Sequence, residues 1–315
     1  MGDLGLVRVA DQFLFGYDDG HRLLTGSREL PPATAVALLS ATDAAMADGS
    51  APLVTGLALA ESSEYAFCVT WSATELPRPG AVWAHALVVG EAELAKAGTL
   101  EVLLGLPRRP SRGVAYLGSY RAPIALDDAA PAVPNYLPVA PVDRELLERL
   151  ALAAYEAGGE RIVAHEDLGD AAKALLALWY AQWPALRAAF SFRTREIVRP
   201  GASDFDLTVA RRLRGLGTEA APAAAPVVPP WLKQVVEDAS GTAPTPLRDW
   251  LSAFGPLEPP EPRRLAALAK LWLLVVARDA EGARAQLEHA WPQPHAGAAL
   301  KRVLFAREND DWWTP

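Results

Sequence analysis

One cysteine, Cys68, stands in 315 residues, so no disulfide can close within the chain and no multi-cysteine zinc site can form. Phosphate-cradling loops are missing as well. There is no GxxxxGK[ST] and no GxGxxG after a strand, and so no nucleotide machinery of a familiar kind. HExxH and GxSxG are absent, which leaves any metal site or serine nucleophile without its usual setting. Long apolar runs are lacking too. The most apolar stretch, LAALAKLWLLVVA (265–277), is too short for a membrane span and contains Lys270, so it reads as a buried helix. The first residues, MGDLGLVRVADQ, have neither the basic region nor the apolar run of a signal peptide, and the expectation is a cytoplasmic protein without membrane contact.

What is present is an ordinary globular composition, 51% hydrophobic and 22% charged, with a net charge of −8. An acidic chain is poorly suited to nonspecific nucleic-acid binding, because the phosphate backbone repels it. The short arginine clusters PRRPSR (107–112) and RRLR (211–214) read as solvated surface.

The N-terminal part mixes strands and helices. Residues 6–16, 52–60, 64–73 and 81–89 read as strands. In the third, Tyr65, Phe67, Val69 and Trp71 share a face; in the fourth, Trp83, His85, Leu87 and Val89 do so. Prolines at the entry and a glycine after the end mark 31–49 as a helix. Beyond a proline-rich connection (127–143), 142–158 and 168–192 are helical, with Pro184 expected to kink or restart the second. FSFRT and FDLTVA suggest a small strand pair. GTEAAPAAAPVVPP (217–230) reads as a stiff linker, and only helices follow it. The fold class expected is α+β: a mixed module over 1–135, a mainly helical subdomain over 140–216, the linker, and an all-α domain over 231–315.

Chemistry concentrates in LFGYDDGHRLL (14–24). Asp19-Gly20 is a strong hairpin signal, because a type I′ turn needs positive φ at both central residues. With those two as the turn, Asp18 and His21 become cross-strand neighbours, and the carboxylate raises the histidine pKa. The pair reads either as an oriented general base or as a polar clasp on a turn. His85 reads either as a second base or as a hydrogen-bonded core residue. Cys68 reads as a partner for His21 or His85 in a dyad, or as a small buried hydrophobe. HED (165–167) reads as a helix N-terminus with acidic capping. No cofactor or metal ligand set emerges. The tail DDWWTP (310–315) places Trp312 and Trp313 as an exposed or docking element, or as the start of a continuing chain. Trp231 and Trp250 offer either a contact surface or helical core.

Three stretches taken together, FGYDDGHRLLTGS (15–27), YAFCVTWSATELPRPGAVWAHALVV (65–89) and LLALWYAQWPALRAAFSFRT (175–194), resemble the N-terminal region of bacterial GTPase-associated proteins. The resemblance spans roughly 8–200. It implies a non-enzymatic scaffold or adaptor working with a GTPase or related NTPase in a bacterial conflict or signalling system, and it brings no assigned catalytic residue. Gly16, Tyr17, Gly20, His21 and Arg22 match its first motif, and Pro77, Pro79, Gly80, Trp83 and His85 its second. The functional candidates are thus Tyr17, Asp18, Asp19, His21, Arg22, Trp83 and His85, with Trp312 and Trp313 toward a partner. The alternative is a hydrolase or peptidase-like enzyme using His21 or His85 with Asp18 or Cys68.

Overall fold

The computed structural model describes residues 8–47, 49–76, 78–96, 99–110, 114–126, 142–156, 161–197, 205–211, 228–241, 245–293 and 295–305. The chain opens as a hairpin, β1 (Val9–Tyr17) and β2 (His21–Gly26), followed by helix α1 (Pro32–Thr42). Pro31 and Pro32 set α1's first turn, as the proline punctuation predicts. Strands β3 (Leu53–Leu59), β4 (Glu64–Ser72) and β5 (Val82–Gly90) come next, then two short helices, α2 (Glu91–Leu94) and α3 (Thr99–Gly105). A 3-10 turn (Val114–Tyr120) and a two-residue strand, β6 (Ile124–Ala125), complete this part.

Helix α4 (Arg144–Tyr155), β7 (Ile162–His165), α5 (Leu168–Tyr180), α6 (Pro184–Ala189), β8 (Phe192–Arg195) and β9 (Leu207–Arg211) follow. Pro184 restarts the helix, because a proline cannot donate to the preceding turn. Asp167 caps α5 by accepting from the Gly169 and Asp170 amides, the role expected of the HED stretch. Those bonds hold its carboxyl below the usual range. Helices α7 (Pro230–Ser240), α8 (Pro246–Phe254), α9 (Pro262–Val276), α10 (Ala280–Ala290) and α11 (Ala298–Phe305) close the described chain. The fold is α+β.

Among the described residues the nine strands lie in one sheet, ordered β2-β1-β5-β4-β3-β8-β9-β7, with β6 on β1. The first five strands pair antiparallel, and β8 joins β3 antiparallel. The expected small strand pair forms, but parallel, with β9 between β8 and β7. It extends the main sheet rather than standing apart.

The alternation in β4 and β5 sorts their side chains onto two faces. Ala66, Cys68, Ala84, Ala86 and Val88 join Phe13, Phe15 and Leu38 of α1 on one face. Tyr65, Phe67, Val69, Leu87 and Val89 meet the long helices on the other. There Trp179 of α5 stacks on Tyr65 at 5.2 Å and on Phe67 at 6.2 Å, and meets Phe192 edge-on at 5.2 Å. Its indole N–H donates to the Arg187 carbonyl at 2.9 Å. Helix α4 lies on α5, α7 on α4, and α9 on both α4 and α7. One apolar cluster consequently runs from Ala10 in β1 to Leu304 in α11. Trp231 and Trp250 belong to it at 3% and 7% exposure, so they fill core rather than offer a contact surface. Most of the expected connection (127–143) and linker (217–230) lies outside the described residues.

Candidate functional site

The two motif stretches meet at one end of the sheet, around the β1–β2 turn and the turn that follows β4. The hairpin forms, with a correction to its register. Tyr17, not Asp18, faces His21, so three residues (18–20) make the turn. Asp19 has φ of 55° and Gly20 of 128°, the left-handed conformations the sequence signal demands. Asp18 turns outward and pairs with Arg22, so the expected Asp18–His21 pair does not form. Nothing lies within 4 Å of a Cβ placed at Gly20, so backbone conformation alone requires glycine there. Replacing Gly20 by Val is expected to cost about 1–3 kcal/mol, read as a lower melting midpoint. An unchanged midpoint would refute the strained turn.

His21 packs on the α1 side. Thr42 Oγ1 donates to the Leu38 carbonyl at 2.8 Å, so at 3.0 Å it accepts from His21 Nε2–H. The ring stacks on Phe15 at 6.2 Å. Burial lowers the His21 pKa, with Asp43 opposing. This reverses the expected rise, because the carboxylate thought to face it is paired elsewhere.

Gly16 is the contact between the motifs. A Cβ there would sit 2.4 Å from the Trp83 ring, so the indole of β5 packs directly against the β1 backbone. Trp83 Nε1–H donates to Glu75 Oε1 at 2.8 Å, and Glu75 Oε2 accepts from Arg109 at 2.6 Å. Arg109 also donates to the Ser72 carbonyl at 2.9 Å. Burial pushes the Glu75 carboxyl up, but its own backbone N–H, Arg109 and Trp83 together hold it below the usual range. Above them, the Arg78 guanidinium covers the Tyr17 ring at 4.7 Å. Gly80 takes φ of 74° to turn the chain into β5. Pro77 lies outside the described residues, and Pro79 is exposed.

His85 is fully buried behind this surface. Its Nδ1 accepts from the Arg108 backbone N–H at 3.0 Å, so the neutral ring carries its proton on Nε2. Tyr120 meets the ring edge-on at 4.9 Å, and its hydroxyl donates to the Arg108 carbonyl at 3.1 Å. Both backbone groups of Arg108 are thereby latched. Burial, reinforced by the Arg108 charge, pushes the His85 pKa down to about 3. Cys68 lies on the opposite face, with its thiol pushed up to about 12 by burial. It stands three strands from His21, about 14 Å at ordinary strand spacing. The sheet therefore brings none of the proposed dyads together: Cys68 and His85 face opposite ways, and Asp18 is solvent-exposed beside Arg22.

What the end of the sheet does assemble is an exposed rim of Arg22, Arg78, Arg108 and Arg109 with half-buried Tyr17. Beneath it lie Leu14, Trp83 and Tyr120. Sequence reasoning found Tyr17, Arg22 and Trp83 but missed Glu75, Arg78, Arg108, Arg109 and Tyr120. Arg108 and Arg109 of the PRRPSR run are exposed, in keeping with a solvated surface. Trp312 and Trp313 lie outside the described residues. Among the described residues no group of three or more His, Cys, Asp or Glu could hold a metal, and no helix is long and apolar enough to cross a membrane.

Residues 9–106 match the family model described as GTPase-associated protein 1, N-terminal domain type 1. The match covers the first two motif stretches and supports the GTPase-associated protein family. The third stretch (175–194) falls beyond it. Comparisons with curated proteins and with solved structures found no match.

Proposed function

We propose, from a chain whose residues 9–106 resemble a GTPase-associated N-terminal domain, that it is a scaffold or adaptor for a GTPase or related NTPase. Its place would be a bacterial conflict or signalling system. One observation carries this reading. Two motif stretches distant in sequence meet where Arg78 covers Tyr17 and Trp83 lies against Gly16, and the exposed Arg108 and Arg109 are tied to His85 and Glu75 of the second stretch. Arginine and tyrosine concentrate binding energy at interfaces, because planar, half-buried groups lose little entropy when a partner covers them. The rim sits on a chain of net charge −8, which directs an acidic partner surface toward this end. His21 and His85 act as structural pins, one to α1 and one to the Arg108 loop. The tail with Trp312 and Trp313 is the second proposed contact; nucleic acid is not a proposed partner.

The test is a binding titration against purified candidate GTPase and related NTPase partners. Arg22→Glu with Arg78→Glu is expected to weaken binding at least about tenfold, since charge reversal in a rim opposes encounter as well as contact. The melting midpoint should stay within about 2 °C, because both side chains are exposed. Unchanged affinity in the double variant would remove the rim as the contact surface.

A further inference from the structure

A pocket of about 490 Å³ opens among α9, α10 and the end of α4, far in sequence from the arginine–tyrosine rim. Its volume falls in the range that encloses a small molecule. Arg263, Arg264 and Lys270 of α9 bring three cations to its wall, and His289 and Gln286 of α10 face them with Gln293. Glu156 is the carboxylate among its lining residues. The floor is alanine, from Ala266, Ala267 and Ala290, so the space is not filled by the helices' own side chains.

The cations differ in how firmly they are held. Arg264 is fixed: it donates to the Ala290 carbonyl at 2.9 Å, and its guanidinium lies 5.5 Å from the Trp291 ring centroid. Its Nε finds no hydrogen-bond acceptor, although the Glu258 and Glu261 carboxylates stand at 3.8 Å. Lys270 rests on Glu156 at 3.3 Å, and Arg263 on Glu261 at 2.7 Å. Arg263 is solvent-exposed, whereas Lys270 and Glu156 are half-buried and the Lys270 ammonium also lies 5.3 Å from the Trp231 ring centroid. Exposed ion pairs are weak, so a dianion can take over Arg263 at small cost, and Lys270 can exchange Glu156 for it while keeping its contact with the Trp231 ring. One anchored guanidinium flanked by two exchangeable cations suits a phosphoryl group, which accepts several charge-assisted bonds at once. The glutamines and the imidazole supply polar recognition for the rest of the molecule, and the alanines its apolar seat.

We propose that this pocket binds a phosphorylated small molecule of about nucleotide size. The experiment uses the full chain and isothermal titration with three probes: pyrophosphate, AMP, and adenosine as the uncharged control. AMP is expected to bind at least about tenfold more tightly than adenosine, because the phosphoryl group carries the recognition. Lys270→Gln with Arg263→Gln should weaken AMP and pyrophosphate at least about tenfold, with a ligand-free melting midpoint within about 2 °C of the parent. His289→Ala should weaken AMP more than pyrophosphate. The proposal is overturned if neither phosphate probe binds at millimolar concentration. It is equally overturned if both bind the double variant as they bind the parent. None of these variants touches the arginine–tyrosine rim, so failure here leaves partner binding unaffected.

Discussion

Replacing Trp179 by Ala is expected to lower stability by about 3–5 kcal/mol, among the largest effects of any single substitution in this chain. Trp179 is fully buried and is the ring on which α5 meets the sheet. It stacks on Tyr65 and Phe67 of β4, meets Phe192 of β8 edge-on, and donates its indole N–H to the Arg187 carbonyl. Truncation removes the transfer free energy of the indole and opens a cavity. It also breaks aromatic pairs worth about 0.5–1.5 kcal/mol each beyond their area, and orphans a backbone carbonyl. Neighbouring rings cannot close the space readily: the Tyr65 hydroxyl is tied to the Phe190 carbonyl at 2.8 Å. For a chain of this size the loss corresponds to a fall in melting midpoint on the order of 10 °C. Val36→Ser is the control. Val36 is 67% exposed on α1, so its replacement should change stability by less than about 0.5 kcal/mol. A Trp179→Ala midpoint within about 3 °C of the parent would mean that α5 is not cored on the sheet in solution.

The second large effect is on acid stability and comes from His85. Its folded-state pKa, about 3, lies below the ordinary histidine value of 6.5. The unfolded chain therefore binds a proton that the folded chain refuses. The stability this contributes is complete above about pH 6.5 and is lost as pH falls toward the folded value, at up to about 1.4 kcal/mol per pH unit. By pH 5 the loss from His85 alone approaches about 2 kcal/mol. His21 has a lowered pKa as well and adds in the same direction. The carboxylates with lowered pKa values, Glu75, Glu93 and Asp167, have unfolded values near 4, so they add their losses at lower pH. Urea denaturation at pH 7.5, 6.0 and 5.0 isolates the histidines. His85→Gln keeps an acceptor for the Arg108 N–H but cannot take a proton. The variant should be less stable at pH 7.5 by about 1–2 kcal/mol, from imperfect packing, and distinctly flatter between pH 6.0 and 5.0. An equal slope in parent and variant would show that His85 does not resist protonation.

Much of the sheet could be read from local pattern. The alternation of Tyr65, Phe67, Val69 and Trp71, and of Trp83, His85, Leu87 and Val89, follows from the two-residue period of a strand, and each set shares a face as expected. Asp19 and Gly20 determine a hairpin because few residues accept positive φ, and Pro184 restarts a helix because it has no N–H to give. Such signals act between neighbours along the chain, so the sequence carries them whole. The same signal did not settle which residues face each other across the turn. Asp18 and His21 are near in sequence, but one residue of register sends Asp18 to Arg22 and leaves His21 to Thr42.

The rest depended on partners brought in from afar. IVAH of β7 is four residues long, too short to declare a period, and it becomes a strand because β9 lies beside it. The parallel pairing of β8, β9 and β7, and their union with β3, require the helices between them to fold back on the sheet. Likewise, Arg108 and Arg109 are exposed charge, as the sequence suggests, but only the fold shows that His85 and Tyr120 hold the Arg108 backbone and that Glu75 pairs with Arg109. Sequence determined the hairpin, the long alternating strands and their faces, the turn residues and the lack of a familiar catalytic motif. Tertiary structure decided that Cys68 and His85 face opposite ways, that His21 loses its carboxylate, and that two motifs meet through Gly16 and Trp83. Local sterics are written residue by residue, whereas register and long-range pairing are set by which distant surfaces bury each other best.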